Sequence, residues 1–532
     1  MRYRLGYFVL AIALAPFVAR GSEPLDARVE AVLKTPGFQH GHWGLLVVDG
    51  KTGQTIYERD ADQMFAPASV TKLFSTAAAL AELGADYRFR TPVVRRGELD
   101  TKTGVLHGDL ILVAQGDLSL GGRTGPEGNL LFTDGDHTYA NGNMTAVVTA
   151  SDPLAGLDHL AREVQSAGIK SVTGDVIVDD RLFEAAESTG SGPARVSPVL
   201  VNDNLIDVVA TPAAKAGEPA ILKVIPETEF ATMEAQVETV AEGEKAVMSL
   251  HSAGPRRFSV RGKLPVGHKA VVKVYEVEEP AAFARTVFIA RLRKHGVHVR
   301  AIAIGDNAAD SLPLRDEVAK LPKVAEYVSP PFREYARVIL KVSHNLHAST
   351  LPLLIAARHG ERTLHDGLRR EGALLKGLGL DPQAIAFGGG AGGARADLVT
   401  PRAAVTLLRA MAVRPDFAAY DAALPVLGRD GTLAKAVAAD SPARGHVRAK
   451  TGTYWVDNAL TGKAVLTSKA LAGYMETAAG RPLVFAFFVN NVSLDASGIE
   501  VSEATNAAGR LLGKLCEVFY SAGAGDASKA GS

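Results

Sequence analysis

The spacing of apolar and polar positions predicts helices and strands at both ends of the chain and a different pattern in the middle. Towards the N-terminus it predicts a short helix, a β-hairpin and a strongly apolar helix, in that order: 25–33, 44–59 and 66–83. Towards the C-terminus it predicts two helical stretches, a strand, a second hairpin and an amphipathic helix: 282–295, 331–358, 447–453, 471–489 and 501–519. From about 87 to about 278, short β-rich runs alternate with turn signals.

This order of elements predicts an α+β fold. Because hairpins and helices from both ends bracket the β-rich middle, we expect one antiparallel sheet assembled from both chain ends, with helices packed on it. The sheet and its helices would form a discontinuous domain, interrupted by one or two inserted β-rich subdomains and followed by a flexible tail. The predicted boundaries are 22–86 and 279–520 for the discontinuous domain, 87–278 for the insertion and 521–532 for the tail.

The N-terminus has the pattern of an export signal. Two arginines precede the apolar run Leu5–Ala19, and small residues at Ala19 and Gly21 have the spacing that a signal peptidase reads. We therefore expect residues 1–21 to be a signal peptide cleaved near Gly21, and the mature protein to be periplasmic and at most peripherally associated with the membrane. The alternative is an uncleaved membrane anchor, for which an apolar run of this length is short.

Composition excludes several classes of protein. The 532 residues contain 58 Lys plus Arg and 58 Asp plus Glu, so the formal net charge is zero and the electrostatic footprint of a nucleic-acid-binding protein is missing. Cys516 is the only cysteine, which excludes an intrachain disulfide framework and a cysteine-based zinc site. The length predicts more than one domain.

The most informative motif opens the apolar helix. Ser69-Val70-Thr71-Lys72 is the only S-x-x-K sequence in the chain, and residues three apart share a helix face, so the Lys72 amine can reach the Ser69 hydroxyl. Serine needs a base to act as a nucleophile at neutral pH. A lysine can be that base when burial and the helix N-terminus lower its pKa. A solvated Ser and Lys are the alternative, but a lysine on the most apolar helix needs a reason.

A second motif stands inside the helical stretch that follows the β-rich region. Ser343-His344-Asn345 is the only S-x-N sequence in the chain. Ser343 can relay a proton there, while the Asn345 amide can hold a substrate amide. A polar pair on an exposed helix or turn is the alternative interpretation, and it is the commoner one for this motif taken alone.

A third motif lies on a predicted strand. In Lys450-Thr451-Gly452-Thr453, glycine permits the close approach of a ligand, and lysine with two hydroxyls makes a carboxylate-binding edge. K-T-G also occurs at Lys51 and Lys102, where hairpin turns explain it. Only the third copy stands in an apolar strand and is followed by threonine.

The three motifs in this order are the signature of class A β-lactamases and penicillin-binding proteins. About 270 residues separate Lys72 from Ser343, and with this spacing the chain resembles the D-alanyl-D-alanine carboxypeptidase/endopeptidase family, the class C low-molecular-mass penicillin-binding proteins, which carry large β-rich insertions there. The resemblance runs from about residue 40 to about residue 495. Further stretches that match the family are Pro67–Leu73, Gly108–Leu110, Gly174–Asp180, Val201–Asn204, Ser329–Pro331, Leu424–Pro425 and Gly428–Leu433.

The resemblance implies a penicillin-binding-protein/β-lactamase-like transpeptidase domain and an acyl-serine mechanism. Ser69 would attack the carbonyl between two D-alanines, Lys72 would accept its proton, and the oxyanion would lie between the backbone N–H groups of Ser69 and Thr453. The residues implied in catalysis are Ser69, Lys72, Ser343, Asn345 and Lys450, and those implied in substrate binding are Thr451, Gly452 and Thr453.

The implied function is that of a serine-type D-Ala-D-Ala carboxypeptidase and D,D-endopeptidase. Ser343 and Lys450 would pass a proton to the leaving D-alanine, whose carboxylate would bind to Lys450 and the two threonines of the third motif. The implied partners are peptidoglycan stem peptides and cross-links, with β-lactam antibiotics as covalent inhibitors and no nucleic acid. We expect no cofactor and no metal, because the histidine pairs lack an H-E-x-x-H pattern or an acidic cluster.

Three departures from the family pattern bear on the site. His344 stands where Asp or Asn is commoner. Residues 387–393 read Phe-Gly-Gly-Gly-Ala-Gly-Gly in place of an Asp-x-Ser-Gly-Leu-Ser type segment, and about a dozen extra residues, 458–469, separate the third motif from the next hairpin.

Two other functions stay open. A β-lactamase of class A would use a separate Glu in a Glu-x-x-Leu-Asn context, and the Leu-Asn dipeptide does not occur in this sequence. A non-catalytic peptidoglycan-binding protein with a decayed cleft is the other, and only the altered segment 387–393 favours it.

Overall fold

The computed structural model describes residues 23–38, 40–494 and 500–522. The predicted signal peptide and the last ten residues of the predicted tail lie outside the described residues, whereas Ser521 and Ala522 belong to the last helix. The α-helices, in chain order, are α1 (Leu25–Leu33), α2 (Thr71–Leu83), α3 (Ala155–Ser166), α4 (Pro280–Lys294), α5 (Arg315–Val318), α6 (Phe332–Lys341), α7 (Asn345–Arg358), α8 (Leu364–Gly377), α9 (Pro401–Ala412), α10 (Phe417–Ala423) and α11 (Glu500–Ala522).

Strands are distributed over both chain ends and the middle. In chain order they are β1 (His42–Asp49), β2 (Thr55–Arg59), β3 (Arg90–Asp100), β4 (Val105–Val113), β5 (Ser171–Val172), β6 (Val176–Asp179), β7 (Ala186–Glu187), β8 (Arg195–Val196), β9 (Leu205–Thr211), β10 (Ile221–Ile225), β11 (Thr232–Val240), β12 (Val247–Ser252), β13 (Arg257–Pro265), β14 (Val271–Glu276), β15 (His298–Val299), β16 (Lys323–Val328), β17 (Ile385–Ala386), β18 (Leu398–Val399), β19 (Val447–Asn458), β20 (Lys463–Glu476), β21 (Pro482–Asn490) and β22 (Val492–Leu494).

The main sheet combines strands from the two ends of the chain. Its order is β19-β20-β21-β1-β2, every pair is antiparallel, and β22 lies beside β20. The prediction of one antiparallel sheet built from both ends, within an α+β fold, is therefore confirmed. The pairing of β1 with β21 is the link that makes this domain discontinuous in sequence.

Both faces of this sheet are covered, which explains the apolar run Trp43–Val48 within β1. Leu45 and Val47 point into a core shared with α1 and α11, whereas Leu46 and Val48 point into the core that surrounds α2. Successive side chains of a strand alternate between faces, so a strand buried on both sides must be apolar at every position.

Helix α2 lies in the middle of the second core. Its residues 71–80 are all buried, and it packs against α6, α7 and α8. The helix ends where the sequence predicts, at Gly84, whose φ of 85° is unfavourable for other residues. A helix enclosed in this way holds any polar side chain near its N-terminus at a fixed position and away from bulk water.

The insertion contains three sheets of three or more strands and the two-stranded sheet β7-β8, and it extends past the predicted boundary. The largest has the order β15-β5-β4-β3-β16, with β6 beside β4, and two three-stranded sheets follow the orders β10-β9-β14 and β11-β13-β12. Strand β16 returns to pair antiparallel with β3, and α4 packs on α3. Residues before and after the predicted boundary at 278 and 279 therefore share one core, to which Val93, Leu157, Phe283, Val299 and Ala325 contribute.

The residues that follow the third motif form part of a longer hairpin. We expected 458–469 to separate the strand from the next hairpin, but β19 continues to Asn458 and the chain turns back directly into β20. Thr453 thereby pairs with Lys469 across the two strands. Among the described helices, none combines the length and apolar character that crossing a membrane requires.

A buried charge cluster joins the insertion to the helices around α2. The Arg123 guanidinium donates to Asp136 and to Asp203, at 2.7 Å each. The other carboxylate oxygen of Asp203 lies 2.7 Å from Nε2 of His347 on α7. The segment 121–143 carries Arg123 and Asp136 into the interior, where the ion pairs compensate their burial.

We predict that Arg123→Met destabilises the protein strongly. Removing the guanidinium takes away the cation that the buried carboxylates of Asp136 and Asp203 share, which costs about 3 to 5 kcal/mol. Thermal unfolding measures this as a lowered Tm. Arg261→Met is the matched control, since Arg261 forms an exposed pair with Glu234 and should change the Tm little. Equal small shifts for the two variants would contradict the structural importance of the cluster.

Candidate active site

Ser69 lies in a tight turn at the entrance of α2. The turn is a 3-10 helix, Ala68–Val70, and Ala68 has a φ of 46°, a left-handed conformation that is rare for a residue with a side chain. Two glycines make room for it. A Cβ on Gly392 would lie 1.9 Å from the Ala68 carbonyl oxygen, and a Cβ on Gly452 would lie 2.3 Å from that of Pro67. The third motif therefore passes directly beside the Ser69 turn.

The Lys72 amine connects three parts of the structure. Its Nζ is 2.7 Å from Ser69 Oγ, 2.6 Å from Asn345 Oδ1 and 2.7 Å from the carbonyl oxygen of Ala391. The side chain is fully buried, and this burial, together with the charge of nearby Lys450, holds the pKa of Lys72 well below its usual range. A neutral amine at this place can accept the Ser69 proton along the existing 2.7 Å contact.

The second motif lies at the break between α6 and α7 and not inside a helix. Ser343 has a φ of 65°, and its carbonyl oxygen accepts a 2.5 Å hydrogen bond from the Tyr139 hydroxyl. Asn345 is the first residue of α7, and its amide is used at both ends: Oδ1 accepts from Lys72, and Nδ2 donates to the Ser191 carbonyl at 2.8 Å. The second N–H of that amide remains available to a substrate carbonyl.

His344 does locally what an Asp or Asn could do at the same place. It is the N-cap of α7, and its Nδ1 accepts a hydrogen bond from the His347 backbone N–H at 3.2 Å. Aspartate and asparagine are favoured N-caps because their side-chain oxygen accepts the same bond. The imidazole has a second nitrogen, Nε2, which lies 3.3 Å from Asp203 of the insertion. The substitution therefore keeps the cap and adds a contact to the insertion.

His344, His347 and Asp203 have ligand atoms within 4.8 Å of one another, a spacing that suits a metal ion. The Arg123 guanidinium lies in the same place, 2.7 Å from Asp203 and 3.3 Å from Nε2 of His344. A fixed positive charge so close disfavours a metal cation, and burial lowers the pKa of His347 to about 4, which keeps that imidazole uncharged. We interpret the group as part of the buried charge cluster.

The third motif forms the edge of the main sheet beside Ser69. Lys450 is fully buried, its Nζ donates to the Thr451 carbonyl at 2.9 Å, and burial together with the charge of Lys469 lowers its pKa to about 7. The Thr451 hydroxyl lies 2.8 Å from that of Thr432, while Thr453 is exposed. The other two K-T-G copies lie in the β1–β2 and β3–β4 turns, where Asp49 and Asp100 accept backbone hydrogen bonds from them.

Sequence reasoning missed the contribution of the glycine-rich segment 387–393. It delivers the Ala391 carbonyl to Lys72 and the Gly390 carbonyl to the Ser75 hydroxyl. Asp397 holds the segment by accepting from the backbone N–H groups of Gly388 and Ala394, and burial raises the pKa of this carboxyl to about 6. An aspartate four residues beyond a glycine run has no distinctive pattern in the sequence, so only the structure reveals this role.

Comparison with known proteins identifies one family over most of the chain. The pattern of the D-Ala-D-Ala carboxypeptidase 3 (S13) family matches residues 25–510. A D-alanyl-D-alanine carboxypeptidase from Actinomadura sp. (strain R39) is 30% identical over 494 residues, which cover 85% of this chain and 83% of that protein. The chain belongs to the D-Ala-D-Ala carboxypeptidase 3 (S13) family.

Relatives from other organisms agree with this S13 assignment. D-alanyl-D-alanine carboxypeptidase DacB from Haemophilus influenzae is 23% identical over 511 residues, which cover 92% of each chain. The crystal structure of penicillin-binding protein 4 (dacB) from the same organism superposes with a TM-score of 0.66 at 20% identity, over 93% of this chain and 99% of that one. The expected fold and family are therefore confirmed, and the protein is a serine D,D-carboxypeptidase of the S13 family.

The charge of Lys450 predicts the alkaline limit of this S13 peptidase. With a pKa of about 7, Lys450 is protonated below that pH and loses its charge above it. We expect kcat/KM for release of D-alanine from an acylated peptide ending in D-Ala-D-Ala to fall as the pH rises through about 7, because the charged form would attract the terminal carboxylate of the substrate. In Lys450→Arg the guanidinium stays charged, so its relative pH profile should lack this decline. The same decline in both proteins would contradict the assignment to Lys450.

Proposed function

We propose that this S13 protein acts as a D-Ala-D-Ala carboxypeptidase and D,D-endopeptidase on peptidoglycan peptides through an acyl-enzyme on Ser69. The observation that carries the proposal is the position of Lys72. A buried amine with a lowered pKa contacts the Ser69 hydroxyl at 2.7 Å, while the strand of the third motif touches the turn that presents this hydroxyl. This arrangement provides a nucleophile and its base at one edge of a sheet that can hold an extended peptide.

The proposed acylation step uses these groups. Ser69 Oγ adds to the carbonyl carbon of the penultimate D-alanine as its proton moves to Lys72 Nζ, and backbone N–H groups of Ser69 and Thr453 stabilise the oxyanion. The C–N bond breaks when the terminal D-alanine nitrogen receives a proton, for which we assign Ser343 and Lys450 as the route. Deacylation adds water to the ester carbonyl, returns the proton to Ser69 and releases the shortened peptide.

The remaining motif residues would bind the substrate. An extended peptide can lie along β19 because Gly452 has no side chain to hold it away from the backbone. The second N–H of Asn345 would donate to a substrate carbonyl, and the hydroxyls of Thr451 and Thr453 with Lys450 would receive the terminal carboxylate. A cross-link between two stem peptides contains the same kind of D,D-bond, and its leaving group is the side-chain amine of the neighbouring stem peptide. We therefore propose endopeptidase activity as well.

The sequence supports a periplasmic place of action. The basic and apolar pattern of residues 1–21 is that of a cleaved export signal, and peptidoglycan lies outside the inner membrane. The partners we propose are therefore stem peptides and cross-links of peptidoglycan. β-Lactam antibiotics would be covalent inhibitors, because Ser69 would open their ring and form an ester that water removes slowly.

The two alternatives lose support at the site. A class A β-lactamase uses a glutamate beside the nucleophile to activate water, whereas the hydrogen-bond partners of Ser69 and Lys72 among the described residues include no carboxylate. The hypothesis of a non-catalytic peptidoglycan-binding protein with a decayed cleft was based on the altered segment 387–393. That segment supplies the Ala391 carbonyl that holds Lys72, so its glycines serve the site.

Labelling with a fluorescent penicillin tests the proposed function. We expect a stable adduct on Ser69 in the purified mature protein, located by peptide mapping, and at least a 100-fold slower labelling in Ser69→Ala and Lys72→Ala because nucleophile or base is lost. Lys51→Ala is the matched control, since it changes the K-T-G copy of the β1–β2 turn and should label normally.

Other outcomes would distinguish the alternatives. Rapid hydrolysis of the penicillin without a lasting adduct would identify a β-lactamase. Folded protein that neither labels nor hydrolyses the penicillin would contradict both enzymatic functions. Loss of labelling in Lys51→Ala would show that the wrong K-T-G copy has been assigned to the site.

A further inference from the structure

Lys469 is a buried lysine whose neighbours do not balance its charge. It lies on β20 opposite Thr453, only 8% of its surface is exposed, and α11 covers it at Gly509, where a Cβ would lie 3.5 Å from its Nζ. Lysine is almost never buried without a counter-charge or a full set of acceptors. The position therefore requires an explanation that packing alone does not give.

The ammonium of Lys469 has one protein acceptor where three could bind. Its Nζ donates to the Thr453 hydroxyl at 2.8 Å, and within the described part of the chain no other acceptor and no carboxylate reaches it. Lys450 is likewise bound to a single acceptor, the Thr451 carbonyl, whereas two other buried lysines are better satisfied. Lys341 pairs with Asp430 at 2.6 Å, and Lys273 donates to the carbonyls of Ala140 and Asn141. Two N–H donors of Lys469 thus have no partner among the residues that the structure describes.

The one hydrogen bond that Lys469 donates to the described residues also orients the hydroxyl of Thr453. Because Thr453 Oγ1 accepts from the ammonium, its own hydrogen must point to another acceptor, and the side chain of Thr453 is exposed at the edge of the third motif. The result is an O–H donor with a cation directly behind it. Lys450 is a second buried cation close by, and burial lowers the pKa of Lys469 itself to about 8, so an anion at this edge would stabilise both charged forms.

We propose that Lys469 and Thr453 together form the site that receives the terminal carboxylate of the substrate. The carboxylate accepts from the Thr453 hydroxyl and lies against the Lys469 ammonium, which thereby gains the counter-charge that the protein does not supply. This assignment rests on the proposed peptidase function and adds a residue from the neighbouring strand to the carboxylate-binding motif. It predicts that Lys469 discriminates between substrates with and without a terminal negative charge.

The experiment compares two thioesters that differ only in that charge. An acyl-D-alanyl thioester of thioglycolate carries a carboxylate on its leaving group, whereas the thioglycolamide thioester carries a neutral amide, and kcat/KM is measured for both. In Lys469→Met we expect kcat/KM for the carboxylate ester to fall about 10- to 100-fold and that for the amide to stay within about threefold, because only the former loses a charge-assisted hydrogen bond. Lys469→Arg should recover most of the preference, since it restores the cation.

Lys273→Met is the matched control, because it removes another buried lysine, which lies in the insertion. This variant should keep the wild-type preference for the carboxylate ester. An equal loss of kcat/KM for both esters in Lys469→Met would show that Lys469 has only a structural role, and it would overturn the assignment. Unchanged preference in Lys469→Met, with active wild type, would overturn it as well and leave the peptidase function intact. Wild-type protein that hydrolyses neither ester would overturn both the function and the role of Lys469.

Discussion

The buried amine of Lys72 is the feature on which the rest of the site depends. Burying a lysine is costly unless its hydrogen-bonding groups are satisfied, and the partners of Lys72 come from the turn that precedes α2, from the start of α7 and from the segment 387–393. Each of these elements must therefore be placed to within a few tenths of an ångström. The two cores on either side of the main sheet provide that rigidity, because close-packed interiors resist small displacements. The lowered pKa of Lys72 is thus a consequence of the fold as a whole.

The insertion takes part in the site as a support. It holds Ser343 through Tyr139, Asn345 through Ser191 and His344 through Asp203. These contacts fix the break between α6 and α7, where Ser343 adopts a left-handed backbone conformation that surrounding structure must stabilise. The buried charge cluster also binds the insertion to this break, because Asp203 contacts both His344 and His347. The insertion and the second motif are therefore held together by several contacts.

The parts of the fold and site that depend on residues close together in the sequence were predictable, whereas those that depend on contacts between distant residues were not. The hairpins, the apolar helix and the sheet from both ends followed from local periodicity and are confirmed, and the three motifs led to the correct family. The helix break at Ser343 was missed because apolar periodicity continues across it. The extent of the insertion was missed because β16 joins β3 over more than 200 residues. Asp397 and Lys469 were missed because a buried charge in a loop or strand looks like an exposed one until its neighbours are known.

The proposed carboxylate site would link substrate binding to the protonation state of the base through Lys469, Lys450 and Lys72. The charge of Lys469 lowers the pKa of Lys450, and the charge of Lys450 in turn lowers the pKa of Lys72. A carboxylate bound at the edge of β19 favours the charged forms of Lys450 and Lys469, since opposite charges stabilise each other. Charged Lys450 then disfavours a charged Lys72, so the base next to Ser69 remains neutral while the substrate is bound. Among the described residues, no carboxylate accepts a hydrogen bond from these three amines, so a bound substrate could supply the opposite charge.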